Sequence, residues 1–228
     1  ATSSHYDTAI FNYFNSNNSQ TDFRQSFDQE KALRYGENPH QSAFFYGKLD
    51  DYFDKLHGKE LSYNNLVDID AAVNVIAELS EPSFAIMKHT NTCGLASAAN
   101  NNLAYDNALA CDPVSAFGGV LATNQKIELE LAEKIHQLFC EVVIAPEFSD
   151  EALEVLRGKK NRILLKQKIF TKPAKQFKSL LNGVIAQDYD GFMEDESAFK
   201  LATDKDISAD QAQNLVFAIK AVKHLKSN

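Results

Sequence analysis

Phe84-Ala85-Ile86-Met87-Lys88-His89-Thr90-Asn91, residues 84–91, is the stretch whose reading decides the fold. Four consecutive apolar residues without polar alternation fit a strand covered on both faces, as in layered α/β proteins. The same pattern returns as Val142-Val143-Ile144-Ala145, stopped by Pro146, and in shorter form at Val120-Leu121-Ala122 and at 162–165. Helical periodicity separates these runs. Ile69, Ala72, Val73, Ile76 and Leu79 mark a helix over 68–79, Leu131, Ile135 and Leu138 mark one over 127–139, and another is expected over 149–156. Strands alternating with helices of this length predict an α/β domain with much of its sheet parallel. Lys88-His89 then falls in a loop at the carboxyl end of a strand, where sites in such sheets commonly form.

Working outward, 3–14 reads as a short helix and 15–21 as a polar linker. Ala43-Phe44-Phe45-Tyr46 is β-prone, and the alanine-rich 95–110 is expected to be helical. Residues 180–187 read as a strand with a glycine bend at Gly183. The clearest helix is 208–226, capped by Ser208 and striped by Ala212, Leu215, Val216, Ile219, Val222 and Leu225. There is no internal repeat and no low-complexity tract.

A chain of 228 residues, 44% hydrophobic, is long enough for a substantial core. Its net charge of −8 argues against a general nucleic-acid binder, since phosphate backbones require a basic face. A small anion remains compatible if Arg34 and Lys88 cluster locally. Cys93, Cys111 and Cys140 form no Cys-x-x-Cys pair and read as buried thiols of a reducing compartment. No apolar run approaches the ~20 residues of a membrane span. A cytoplasmic protein without membrane contact is expected. The start at Ala1 suggests an upstream portion or a processed end.

Lys88 supplies a cation beside His89, a group able to exchange protons near neutral pH. Arg34 in Leu33-Arg34-Tyr35-Gly36-Glu37-Asn38-Pro39-His40-Gln41 suits a phosphate or carboxylate, and Tyr35 suits a flat ring. The paired glycines of Asp112-Pro113-Val114-Ser115-Ala116-Phe117-Gly118-Gly119 permit close backbone approach and offer N–H groups to an anion. His57, His136 and His224 read as surface histidines. No Walker loop, no Gly-x-Ser-x-Gly elbow and no zinc-deaminase pattern occurs, so no metal site is expected.

Taken in order, LRYGENPHQ (33–41), LSYNNLVDIDAA (61–72), MKHTNTCGLA (87–96), DPVSAFGGV (112–120), EVVIAPEF (141–148) and KKNRILL (159–165) resemble one family. It is the family of bifunctional enzymes joining aminoimidazole carboxamide ribonucleotide (AICAR) transformylase to inosine monophosphate (IMP) cyclohydrolase. The resemblance implies a cytidine-deaminase-like α/β sandwich without its zinc, and formyl transfer from 10-formyltetrahydrofolate, a cosubstrate, to AICAR. It implies Lys88, His89 and Asn228 as catalytic, and Arg34, Tyr35, Phe117, Gly118 and Glu141 as substrate-binding. Glu141 stands where some members carry aspartate, and Thr92 where bacterial relatives commonly have proline. The resemblance further implies that 1–30 is the tail of an upstream cyclohydrolase domain plus a linker. Residues 31–228 would then be the first part of a transformylase that continues beyond and dimerises in the full protein. A non-catalytic nucleotide-binding or assembly module is the alternative.

Overall fold

The computed structural model describes residues 2–14, 22–168, 171–193 and 195–225. In chain order the elements are α1 (Thr2–Phe14), β1 (Glu30–Ala32), β2 (Phe44–Tyr46), β3 (Phe53–His57), α2 (Tyr63–Ile76), β4 (Ser83–Met87) and β5 (Thr92–Ser97). There follow α3 (Asn101–Cys111), β6 (Val120–Thr123), α4 (Leu129–Gln137), β7 (Val142–Ala145), α5 (Asp150–Arg157) and β8 (Ile163–Gln167). The hairpin β9 (Lys175–Leu180) and β10 (Gly183–Asp188) precedes α6 (Ala209–Lys223).

Six strands form the central sheet in the order β3-β8-β7-β6-β4-β5. Residues of β4, β6 and β7 are buried throughout. Their alternate side chains enter two cores, as the two-residue period of a strand requires. Ala85, Met87, Val120, Ala122, Val142, Ile144, Ile163 and Leu165 pack with Ile69, Ala72, Val73 and Ile76 of α2. Phe84, Ile86, Leu121, Val143, Ala145 and Leu164 pack on the opposite face with Tyr105 and Ala108 of α3, Leu131 and Ile135 of α4 and Leu156 of α5. The result is a mixed α/β sandwich of helix, sheet and helices.

Local chemistry sets the helix starts. Ser62 caps α2, and Asn65 returns the bond to the Ser62 amide. That capping box starts the helix five residues before the expected 68. Ser208 caps α6 as expected, and Ser149 caps α5.

The structure corrects several sequence expectations. Only β6/β7 and β7/β8 are parallel; β3/β8, β4/β6 and β4/β5 are antiparallel. The tight turn at 88–91, closed by the Lys88 amide on the Asn91 carbonyl (2.8 Å), sends β5 straight back along β4. Leu95-Ala96-Ser97 is consequently a strand, and pairing with β4 overrides the helical preference of its alanine. In addition, β1, β3 and β9 appear where no strand was expected, and the strand expected within 180–187 is β10, which starts at Gly183 and pairs with β9 across a turn at Leu181-Asn182. Cys140 is buried, Cys93 half-buried and Cys111 exposed, so Cys111 is not a core thiol.

Glu78, just beyond α2, anchors α6. Its side chain is 1% exposed and meets Lys223 at 2.9 Å, His224 at 2.9 Å and Lys172 at 3.2 Å. His224 is therefore not a surface histidine. Burial pushes the Glu78 carboxyl up, but the hydrogen bonds from Lys223 and Lys172 and the close approach of His224 outweigh it and hold it below its ordinary value. A folded pKa below the unfolded one adds stability that is present above the unfolded pKa. That stability is lost as pH falls through the folded value. Glu78→Gln should therefore lower the denaturant midpoint at pH 6 and flatten its decline between pH 6 and pH 3. Equal acid sensitivity of the two proteins would refute this role.

Candidate active site

Because β4 runs against β6, its carboxyl end lies beside the amino ends of β6 and β7. Register pairs Met87 with Val120, Val120 with Val142 and Val142 with Ile163. The residues just outside these rungs, Lys88, Gly119, Glu141 and Arg162, therefore line one end of the sheet. With strands ~4.8 Å apart, the Lys88 and Glu141 backbones are separated by about 10 Å. The row thus combines the carboxyl end of β4 with the amino ends of β6, β7 and β8, a consequence of strand direction that the usual rule for parallel sheets does not foresee.

Lys88 donates from Nζ to the Phe117 carbonyl. His89 is exposed. Its turn is tied to α2 by the Thr90 amide, which donates to Asp68 Oδ1 at 2.7 Å, with Thr90 in the left-handed region at φ 59°. Gly118 has φ 79°, a conformation that favours glycine. Its N–H donates to the Phe139 carbonyl at 2.7 Å, and that of Gly119 to Ala116 at 3.0 Å. The paired glycines therefore supply shape and close approach to Lys88, and of the two readings the sequence left open, anion-binding amides or a structural turn, this is the turn. Phe117, 59% exposed, packs against Phe139, 51% exposed, with ring centroids 4.9 Å apart. This leaves a flat apolar surface beside Lys88.

Glu141 forms the other half. Its amide bonds the Gly119 carbonyl (3.0 Å) and its carbonyl accepts from the Ile163 amide (2.8 Å), fixing it between β6 and β8. Lys59 Nζ (2.8 Å) and Asn65 Nδ2 (3.1 Å) both donate to Oε2. Burial pushes the carboxyl up, but these two hydrogen bonds and the charges of Lys59 and Arg34 bring it below its ordinary value, so it is ionised at neutral pH. Arg34 is held at the start of α2 by its amide on the Leu61 carbonyl (3.1 Å), and Tyr35 by its carbonyl accepting from Tyr63 (3.2 Å). The Arg34 guanidinium lies 4.5 Å over the Tyr35 ring and donates to the Tyr35 hydroxyl at 2.7 Å.

Lys88, Phe117 and Gly118 are thus brought together directly, Glu141 stands at the same sheet end bonded to Gly119, and the charge of Arg34 acts on Glu141. Asn228 lies outside the described residues. Lys59, Asn65 and Asp68 carry no role in the sequence reading. Asn65 and Asp68 are three apart on a helix start, a polar pair beside the apolar stripe, and that spacing was the available signal. Ser115 is held by Asp112 through both its amide (2.9 Å) and hydroxyl (2.6 Å), a turn and not a nucleophile. Among the described residues, no three His, Cys, Asp or Glu side chains are grouped to hold a metal ion.

Fold and site together define a mixed α/β domain with cations, one ionised carboxylate and an aromatic surface at one sheet end, an arrangement suited to a small anionic ring compound. A profile of the AICARFT/IMPCHase bienzyme family matches residues 1–228, and the chain belongs to that family. It is 53% identical over its whole length to the bifunctional purine biosynthesis protein PurH of Bacteroides thetaiotaomicron, covering 45% of that protein. To PurH of Bacillus cereus and of Bacillus mycoides it is 43% identical over 98% of this chain, covering 46% of each. The chain therefore spans about half the length of the curated relatives it matches.

Proposed function

We propose that this chain supplies part of an AICAR transformylase site in a bifunctional protein of purine biosynthesis. In this reaction a formyl group passes from 10-formyltetrahydrofolate to the 5-amino group of AICAR. The observation that carries this reading is the row at the sheet end, where Lys88 reaches the Phe117-Gly118 turn, Glu141 is bonded to Gly119, and the charge of Arg34 acts on Glu141. In a chain of this family, those groups match the parts of the substrate. Arg34 meets the phosphate, Tyr35 or the Phe117 ring meets a flat heterocycle, and Glu141 accepts from N–H or O–H donors.

The amine of AICAR is a weak nucleophile because its electron pair delocalises into the imidazole and carboxamide. A new bond forms from that nitrogen to the formyl carbon as the bond from the same carbon to folate N10 breaks. His89 takes the amine proton, directly or through the carboxamide, and a proton is returned to N10. Lys88 stabilises negative charge on the formyl oxygen or assists departure of N10. The Phe117 carbonyl that receives Lys88 holds the ammonium at the site before substrate arrives. Further residues of the site, the cyclohydrolase domain, dimerisation and a cytoplasmic location belong to the same proposal, as does the cytidine-deaminase-like class of the fold. So does the division into a tail at 1–30 and a transformylase portion from 31 onward.

Arg34 tests the reading, because its contact with phosphate exists before any chemistry. In the full-length protein, Arg34→Ala should weaken AICAR binding by roughly 10- to 100-fold, the loss of a charge-assisted two-pronged contact. The turnover number should change far less. Calorimetric titration with AICAR beside steady-state kinetics reads both. Unchanged affinity would remove the nucleotide assignment.

A further inference from the structure

Lys59 follows Gly58, whose φ of 97° suits glycine and where a Cβ would stand 2.1 Å from the Arg162 carbonyl oxygen. The turn is therefore seated against the strand end next to Glu141, and it delivers Lys59 into the row of site residues. Lys59 Nζ and Asn65 Nδ2 converge on a single oxygen, Oε2 of Glu141. Asn65 has no freedom to exchange its amide ends, because its Oδ1 accepts from the Ser62 amide at 3.2 Å. Among the described residues, no hydrogen bond reaches Oε1. The carboxylate is thus held by one oxygen while the other is left as an acceptor. The Lys59 and Glu141 side chains are 21% and 31% exposed, sheltered enough for the pairing to fix a geometry.

We propose that Lys59 is a positioning residue for the nucleotide, fixing Glu141 with Oε1 toward the ligand and cancelling its charge so that Arg34 stays available to phosphate. This rests on reading the sheet end as the AICAR site. Without Lys59, the carboxylate faces an anionic ligand uncompensated, and the cation whose charge still acts on it is Arg34. Arg34 is then drawn to Glu141 and away from the phosphate. The effect falls on binding and orientation, since Lys59 touches neither the formyl group nor the amine in this arrangement.

The test is AICAR binding and transformylase kinetics of the full-length protein carrying Lys59→Met, Lys59→Arg, Glu141→Gln and the Lys59→Met/Glu141→Gln pair. Lys59→Met should weaken AICAR binding about tenfold, as expected for loss of a charge-assisted contact. KM should rise and kcat stay within about twofold. Lys59→Arg should restore binding to within about twofold, because it keeps the cation. The double variant should bind no more weakly than Glu141→Gln alone, since removing the carboxylate removes the charge that Lys59 offsets. Tight AICAR binding by Lys59→Met, with Arg34→Ala still defective, would overturn the role of Lys59 and leave the site standing. Unchanged binding by both Arg34→Ala and Glu141→Gln would overturn the site, and this inference with it.

Discussion

Replacing His89 by alanine in the full-length enzyme is expected to lower formyl-transfer turnover by roughly two to four orders of magnitude, the range for a lost general base. AICAR affinity should change much less. The structure supplies the reason for that separation. His89 is exposed on a turn whose shape is set by the Lys88 amide on the Asn91 carbonyl and the Thr90 amide on the Asp68 carboxylate, and neither bond uses the imidazole. Loss of the imidazole removes a proton acceptor and leaves the fold and the Arg34–Glu141 end intact. Turnover near the unmodified value, measured at saturating AICAR and 10-formyltetrahydrofolate, would show that another group takes the proton.

The second large effect is structural. Gly94 of β5 lies under α3, and a Cβ there would stand 2.0 Å from the Ala108 carbonyl oxygen and 2.8 Å from its carbon. Those atoms are helix backbone, so no side-chain rotation relieves the overlap. Gly94→Ala must push α3 off the sheet, opening the contact between Phe84 and Tyr105, whose rings meet edge-on at 5.0 Å. A destabilisation of about 3 kcal/mol or more is expected, at the upper end for overpacking. That corresponds to a fall in Tm of roughly 10 °C for a chain of this size. Gly183→Ala is the matched control, because nothing lies within 4 Å of the added atom. If calorimetric scans placed both variants at the same Tm, the close approach of α3 to β5 would be wrong.

What local sequence determines is visible element by element. The apolar runs of β4, β6 and β7 are buried strands as their composition dictates. The Ile69, Ala72, Val73, Ile76 stripe faces the sheet, and Ser149 and Ser208 cap the helices that follow them. Burial and capping depend on residues within a turn or two of one another, so spacing alone carries them. The stripe on α6 shows the limit. Leu215 is 46% exposed and Val222 40% exposed, and periodicity cannot say whether a partner is present to cover a face. Lys88 and His89 stood out because a strand end and a titratable pair are both local features.

Tertiary structure alone decided direction and partnership. An apolar run reads the same whether its neighbour is parallel or antiparallel, and only the turn at 88–91 reversed β5 and turned Leu95 to Ser97 into a strand. The antiparallel pairing of β4 with β6 then carried Lys88 to the amino ends of β6 and β7, beside Gly118 and Glu141. Glu141 meets its two donors across 82 and 76 residues of chain. No periodicity spans that distance. The occupied amides of Gly118 and Gly119 were equally invisible, since a glycine pair in sequence does not say where its N–H groups point. The reason is the same in each case: hydrogen-bond partners distant in sequence are chosen by the closure of the sheet, which no single segment encodes.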